Sequence, residues 1–135
     1  MKKLVILILL VLVSSCFAWK KQVHFISLPI IEGAGIYTSV RCLIDSKSLS
    51  TQIPSSVNVG LLAANAGLGI ATIFTSEKNY RIMRIVHRIT GMGITAAGLW
   101  MSIAAANDKD VNNLTRNISY GYTILTTVPI IVFSF

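Results

Sequence analysis

The sequence predicts an all-α integral membrane protein: a small bundle of three transmembrane helices, four if residues 24–40 also cross, behind an N-terminal signal peptide. Three observations predict it. Of the 135 residues, 53% are hydrophobic and only 13% are charged, where soluble domains carry roughly 25% charge. The charges fall in short clusters, with none between Lys47 and Glu77, between Arg88 and Asp108, or after Arg116. Each gap holds an apolar run of about 19 residues, roughly 28 Å long as a helix and close to the hydrocarbon thickness of a bilayer. This composition excludes a disordered chain, a collagen-like chain and a nucleic-acid-binding tail. With only Cys16 and Cys42, no disulfide framework is available.

The elements follow in chain order. Lys2 and Lys3, the apolar run Leu4–Val13 and the small residues up to Ala18 have the layout of a secretory signal peptide. Two processing readings stand side by side: cleavage after Ala18, or a lipobox at Val13–Cys16 that leaves a lipidated Cys16. Cleavage after Ala18 removes Lys2 and Lys3 and lowers the net charge from +7 to +5 (7 − 2). Residues 19–56 are expected to be an extracytoplasmic or partly embedded segment. His24, Pro29, Glu32, Gly33 and Gly35 interrupt its apolar stretch, and the Ser- and Thr-rich residues 45–58 form a connecting loop. Residues 57–135 are the transmembrane domain, with spans at about 57–75, 89–106 and 119–135. A spanning segment must satisfy its own backbone hydrogen bonds, and a helix does so.

Orientation follows from the basic residues, which concentrate in cytoplasmic loops. The connection 77–88 carries Lys78, Arg81, Arg84 and Arg88 against one acid, whereas 107–116 is balanced. The first faces the cytoplasm and the second the outside. The N-terminus of the processed chain is then extracytoplasmic and the C-terminus cytoplasmic. Tyr120 and Tyr122 fall at the expected outer interface, where aromatic residues anchor helices.

Helices in lipid associate through close packing of small residues. Gly60, Ala64, Gly67 and Ala71 share one face of the first span, and Gly91, Thr95, Gly98 and Ser102 share one face of the second. The simplest arrangement is a tight hairpin with the two stripes together; the alternative turns one stripe toward another subunit. Asn65, inside the first span, needs a hydrogen-bond partner, and Ser119, Thr123 and Thr126 are placed to bond across the bundle.

Few residues carry chemistry. Arg81, Arg84 and Arg88 repeat at helical spacing beside Ile82, Val86 and Ile89, a basic amphipathic turn suited to anionic lipid headgroups or to a partner. Glu32 is the sole carboxylate in an apolar stretch and becomes a functional candidate if it lies within the membrane. The string Gly91–Ala96 matches a dinucleotide fingerprint, but that motif works only between a strand and a helix. No nucleophile elbow or metal-ligand cluster occurs.

The stretch His87-Arg88-Ile89-Thr90-Gly91 resembles the start of haem-binding helices in b-type membrane cytochromes. The resemblance implies His87 as an iron ligand, with nearby arginines meeting the propionates. The second ligand is then His24, the only other histidine, or a methionine such as Met83 or Met92.

The function expected is non-enzymatic: a structural or accessory subunit of a larger membrane complex, without a cofactor. Its partners are the lipid bilayer and other membrane subunits or further copies of itself, not nucleic acid. The alternatives are a b-type haem electron carrier using His87, and a component of a small oligomeric channel or transporter with Asn65 and Thr95 on its polar path.

Overall fold

The computed structural model describes the backbone of residues 20–134 and the side chains of residues 27–128, apart from those at 73 and 77. The expected signal peptide, with Cys16, lies outside the described residues. The described chain is all-helical: α1 (Lys20–Asp45), α2 (Leu49–Phe74), α3 (Glu77–Asn107) and α4 (Asn113–Ser134).

Polar caps set the helix ends. Ser48 caps α2, its hydroxyl accepting from the Ser50 amide at 3.3 Å. Asn112 caps α4, its carbonyl accepting from the Thr115 amide at 2.9 Å. Both are residue types that satisfy the free amides of a first turn. The connections are short, residues 46–48, 75–76 and 108–112, so successive helices run antiparallel. Around the bundle α1 packs on α2 and α4, and α3 packs on α2 and α4, leaving α1 and α3 on a diagonal.

The expected boundaries need three corrections. Helix α2 begins at Leu49 rather than 57, so most of the expected Ser/Thr loop 45–58 is helix. Helices α3 and α4 likewise begin at Glu77 and Asn113, well before the apolar runs they contain. An uncharged run marks the part of a helix that tolerates hydrocarbon, whereas the cap marks where the helix starts. Finally, residues 24–40 are not an interrupted stretch outside the bundle. They belong to α1, which buries Ile31, Gly35, Thr38, Ser39 and Cys42 in the bundle. Gly35 permits this, because a Cβ there would lie 2.7 Å from Leu62 Cδ1 and from the Tyr122 hydroxyl.

The interior mixes a thin apolar core, built on Ile31, Leu62, Ile94, Met101 and Tyr122, with buried polar residues. Hydroxyls on helices are satisfied by the preceding turn, as in Thr38 to the Ala34 carbonyl and Ser55 to the Thr51 carbonyl, both 2.7 Å. The exterior is apolar: Phe74, Ile70 and Ile124 are 83%, 61% and 68% exposed.

Among the described residues, two helices are long and apolar enough to cross a membrane, over Leu49–Thr72 and Lys78–Asn107. Only 28% and 33% of their most apolar stretches are buried inside the bundle. The core helix of a water-soluble protein would be mostly buried.

Candidate functional site

The antiparallel order gives the bundle two different ends. One end gathers the start of α1, the α2–α3 connection and the first turns of α3. There Arg81, Arg84 and Arg88 are exposed on one face of α3, as their spacing of three and four requires. The Arg84 guanidinium lies over the Tyr80 ring, 5.7 Å from its centroid, an arrangement that fixes the side chain and keeps its donors outward. Arg81, Arg84, Ile85 and Arg88 line an open groove of about 300 Å³. Among the described residues no carboxylate pairs with these arginines. Three guanidiniums along one groove offer forked donors to an anion, and phosphate oxygens match that fork. Ile82, Ile85, Val86 and Ile89, all exposed around them, supply the apolar side of an amphipathic surface.

The opposite end is a polar latch. Asp108, at the C-terminal cap of α3, accepts hydrogen bonds from the Ser46 hydroxyl, from the Thr51 hydroxyl at 2.7 Å and from the Asp110 amide at 3.0 Å. These bonds, the one from Ser46 foremost, hold its carboxyl below the usual aspartate range. Asp45 is paired with Arg41 at 3.1 Å and accepts from Asn112 at 2.5 Å and Thr115 at 2.6 Å. Arg116 donates to the carbonyls of Ala105 at 3.2 Å and Asp108 at 2.6 Å. All four helices meet in this cluster.

Between the ends run polar seams. Where α1, α2 and α4 meet, Asn58 donates to the Ser39 hydroxyl at 2.9 Å and to the Tyr122 hydroxyl at 3.1 Å. Asn65 donates to Glu32 at 3.3 Å between α1 and α2. Between α3 and α4, Ser102 donates to the Ser119 carbonyl at 2.8 Å, Thr123 to the Gly98 carbonyl at 3.0 Å and Thr95 to the Thr126 carbonyl at 3.2 Å.

The second small-residue stripe therefore packs, but on α4. Thr95, Gly98 and Ser102 face that helix, and a Cβ at Gly98 would come within 3.1 Å of the Tyr122 ring. Gly91 meets nothing. The first stripe does not join the hairpin. Gly60, Ala64 and Gly67 are exposed, nothing lies within 4 Å of a Cβ at either glycine, and Ala71 is half-buried. The physical reason lies on the other side of the same helix. Thr51, Ser55, Asn58 and Asn65 repeat at helical spacing and are buried. Asn58 and Gly60 are two positions apart, which is nearly opposite on a helix, so α2 cannot bury both faces. Turned inward, Thr51, Asn58 and Asn65 meet hydrogen-bond partners on the other helices, which a Gly/Ala stripe cannot offer, so the polar face takes the interior. That polar repeat was the signal available in the sequence for Asn58.

The same geometry corrects the aromatic belt: Tyr120 is exposed, while Tyr122, two positions on, is 2% exposed and bonded to Asn58. It also separates Asn65 from Thr95, which lie in different seams. His87 is half-buried on α3, with half-buried Met83 one turn before it and exposed Met92 beyond. The His24 side chain lies outside those described, but its backbone is in the first turns of α1, at the end where α3 begins. Among the described residues no three His, Cys, Asp or Glu side chains cluster as a metal site.

No protein-family model matches this chain, and no curated protein or solved structure matches it.

Proposed function

We propose that this chain is a small non-enzymatic integral membrane protein that serves as a structural or accessory subunit of a larger membrane assembly. The observation that carries the reading is the outward stripe of α2. Gly60, Ala64 and Gly67 form a smooth, open surface on a helix long enough to cross a bilayer. In lipid, where apolar side chains gain nothing by leaving the tails, such a surface accepts another helix at close range. Ile53, Val57, Ile70 and Phe74, all exposed, flank it along the helix. Among the described residues the connections are short, residues 46–48, 75–76 and 108–112.

In this reading all four helices cross, and the basic end faces the cytoplasm. That end carries Lys20, Lys21, Lys78, Arg81, Arg84 and Arg88, against Arg41, Lys47, Lys109 and Arg116 at the other end, where Arg41 and Arg116 are engaged with Asp45 and with carbonyls of the latch. Four crossings return the chain to its starting side. The start of α1 and the end of α4 are then both cytoplasmic, which departs from an outward N-terminus. Arg81, Arg84 and Arg88 sit at the headgroups.

The test is native mass spectrometry of the protein gently extracted from its own membrane, wild type against the double variant Gly60→Leu/Gly67→Leu. Wild type is expected to carry other protein subunits, and the variant to lose them while its own unfolding temperature holds. A chain that comes off alone overturns the reading. A homo-oligomer overturns the accessory role and leaves self-assembly through the same face.

A second reading, an electron carrier with haem between His24 and His87, is favoured by one observation: the backbone brings both histidine-bearing segments to the same end, on diagonal helices. A reduced-minus-oxidised visible spectrum without haem bands disposes of it.

A further inference from the structure

Between α1 and α2 two groups are each missing a partner. Glu32 is a half-buried carboxyl whose hydrogen bond among the described residues comes from Asn65 Nδ2, at 3.3 Å. No cation among the described residues pairs with it. Asn65 is only 4% exposed, and its other amide atom, Oδ1, is buried with no donor. A carboxylate in apolar surroundings requires compensation, and so does a buried amide oxygen. Turning the Asn65 amide over does not help, since it sets an oxygen against a carboxylate and leaves a buried N–H unpaired. One positive charge placed between the two side chains resolves both.

We propose that Glu32 and Asn65 form a proton-binding site between α1 and α2. The bound proton sits on the free Glu32 oxygen and is donated to Asn65 Oδ1, while Asn65 Nδ2 donates to the other Glu32 oxygen. The result is a neutral ring closed by two hydrogen bonds, the pairing open to a carboxylic acid and a primary amide. The proton is the ligand the site fits. A hard metal cation takes six or more oxygen ligands or retained waters, and this site offers a single carboxyl and one amide oxygen. The groups facing Glu32 are few. From α2 there is Asn65; from α4 the titratable group is Tyr122, whose hydroxyl is bonded to Asn58; from α3 no charged described side chain reaches it. Loss of the proton leaves a bare carboxylate beside an unpaired amide oxygen, so the packing of α1 on α2 is tied to the occupancy of the site. The inference goes beyond the proposed subunit role, and its test reads the carboxyl itself, whether the chain is extracted alone or with partners.

The chain contains two glutamates, Glu32 and Glu77, which makes the test direct. The full chain, labelled with carbon-13 at the glutamate carboxyl and held in lipid nanodiscs, gives two carboxyl resonances, and Glu77→Gln assigns the one belonging to Glu32. The expected result is a Glu32 signal that stays in its protonated position at neutral pH and shifts in Asn65→Leu. The unfolding temperature is expected to fall as pH rises through the Glu32 transition, because the proton binds the packed state, and to lose that slope in Glu32→Gln. A Glu32 signal already in the carboxylate position at neutral pH overturns the proposal. So does a signal that moves when sodium replaces choline in the buffer, because the ligand is then a metal cation.

Discussion

The two ends of the bundle differ in what their charges do. At the latch, Asp45, Asp108, Arg41 and Arg116 are engaged with hydroxyls, amides, carbonyls and one another. At the other end Arg81, Arg84 and Arg88 stand exposed without a described carboxylate. A charge cluster is therefore not one kind of object. One closes the protein on itself, and the other faces outward with no described carboxylate beside it. The first predicts effects on stability and the second effects on association, and each prediction below separates the two.

The largest effect is expected from the Arg81→Ala/Arg84→Ala/Arg88→Ala triple variant. Each charge near an anionic surface contributes about 1 kcal/mol, so affinity for anionic lipid falls about 100-fold. Lipid adducts retained in native mass spectrometry report it, with the unfolding temperature unchanged. A variant that unfolds early while keeping its lipid breaks the comparison. Next comes Asp108→Ala, which strips three donors of their acceptor and costs about 1–3 kcal/mol, read as a lower unfolding temperature with lipid retention intact. The same carboxylate sets an acid limit. Its value in the folded protein is lowered, so its contribution is complete above the ordinary aspartate range near ~3.9. That contribution is lost as pH falls through the lowered value, and it is absent in Asp108→Asn. The smallest effect belongs to Lys47→Ala and Lys109→Ala, exposed cations at the latch end outside its network. Stability is expected to stay within about 0.5 kcal/mol, with no change in lipid retention. A loss of anionic lipid there would show that bare charge, rather than the groove on α3, does the binding.

The sequence made part of this legible. Gaps between charges located three helices and the basic face, because excluding charge from hydrocarbon leaves a mark in any sequence. Their ends were not legible from the gaps, since Ser48 and Asn112 act through capping geometry rather than hydropathy. Helix α1 was obscured by Pro29, Glu32, Gly33 and Gly35, residues that read as interruptions until Tyr122 and Leu62 are seen closing on Gly35. The α2 stripe was legible as a stripe but not as an outward one. The deciding information was the competing polar face of Thr51, Ser55, Asn58 and Asn65, which has the same spacing. Tyr122 looked like an anchor because sequence position alone does not give the rotation of a helix about its axis.

The latch also imposes an order in time. Its first half, Asp45, Ser46 and Thr51, emerges from the ribosome well before Asp108, Asn112 and Thr115, the groups that answer it 57 to 70 positions later. Until Asp108 is made, the Ser46 and Thr51 hydroxyls lack their carboxylate, and until Asn112 and Thr115 are made, Asp45 is held by Arg41 alone. A nascent chain halted after Asn107 therefore holds its first three helices without the latch that joins them to α4.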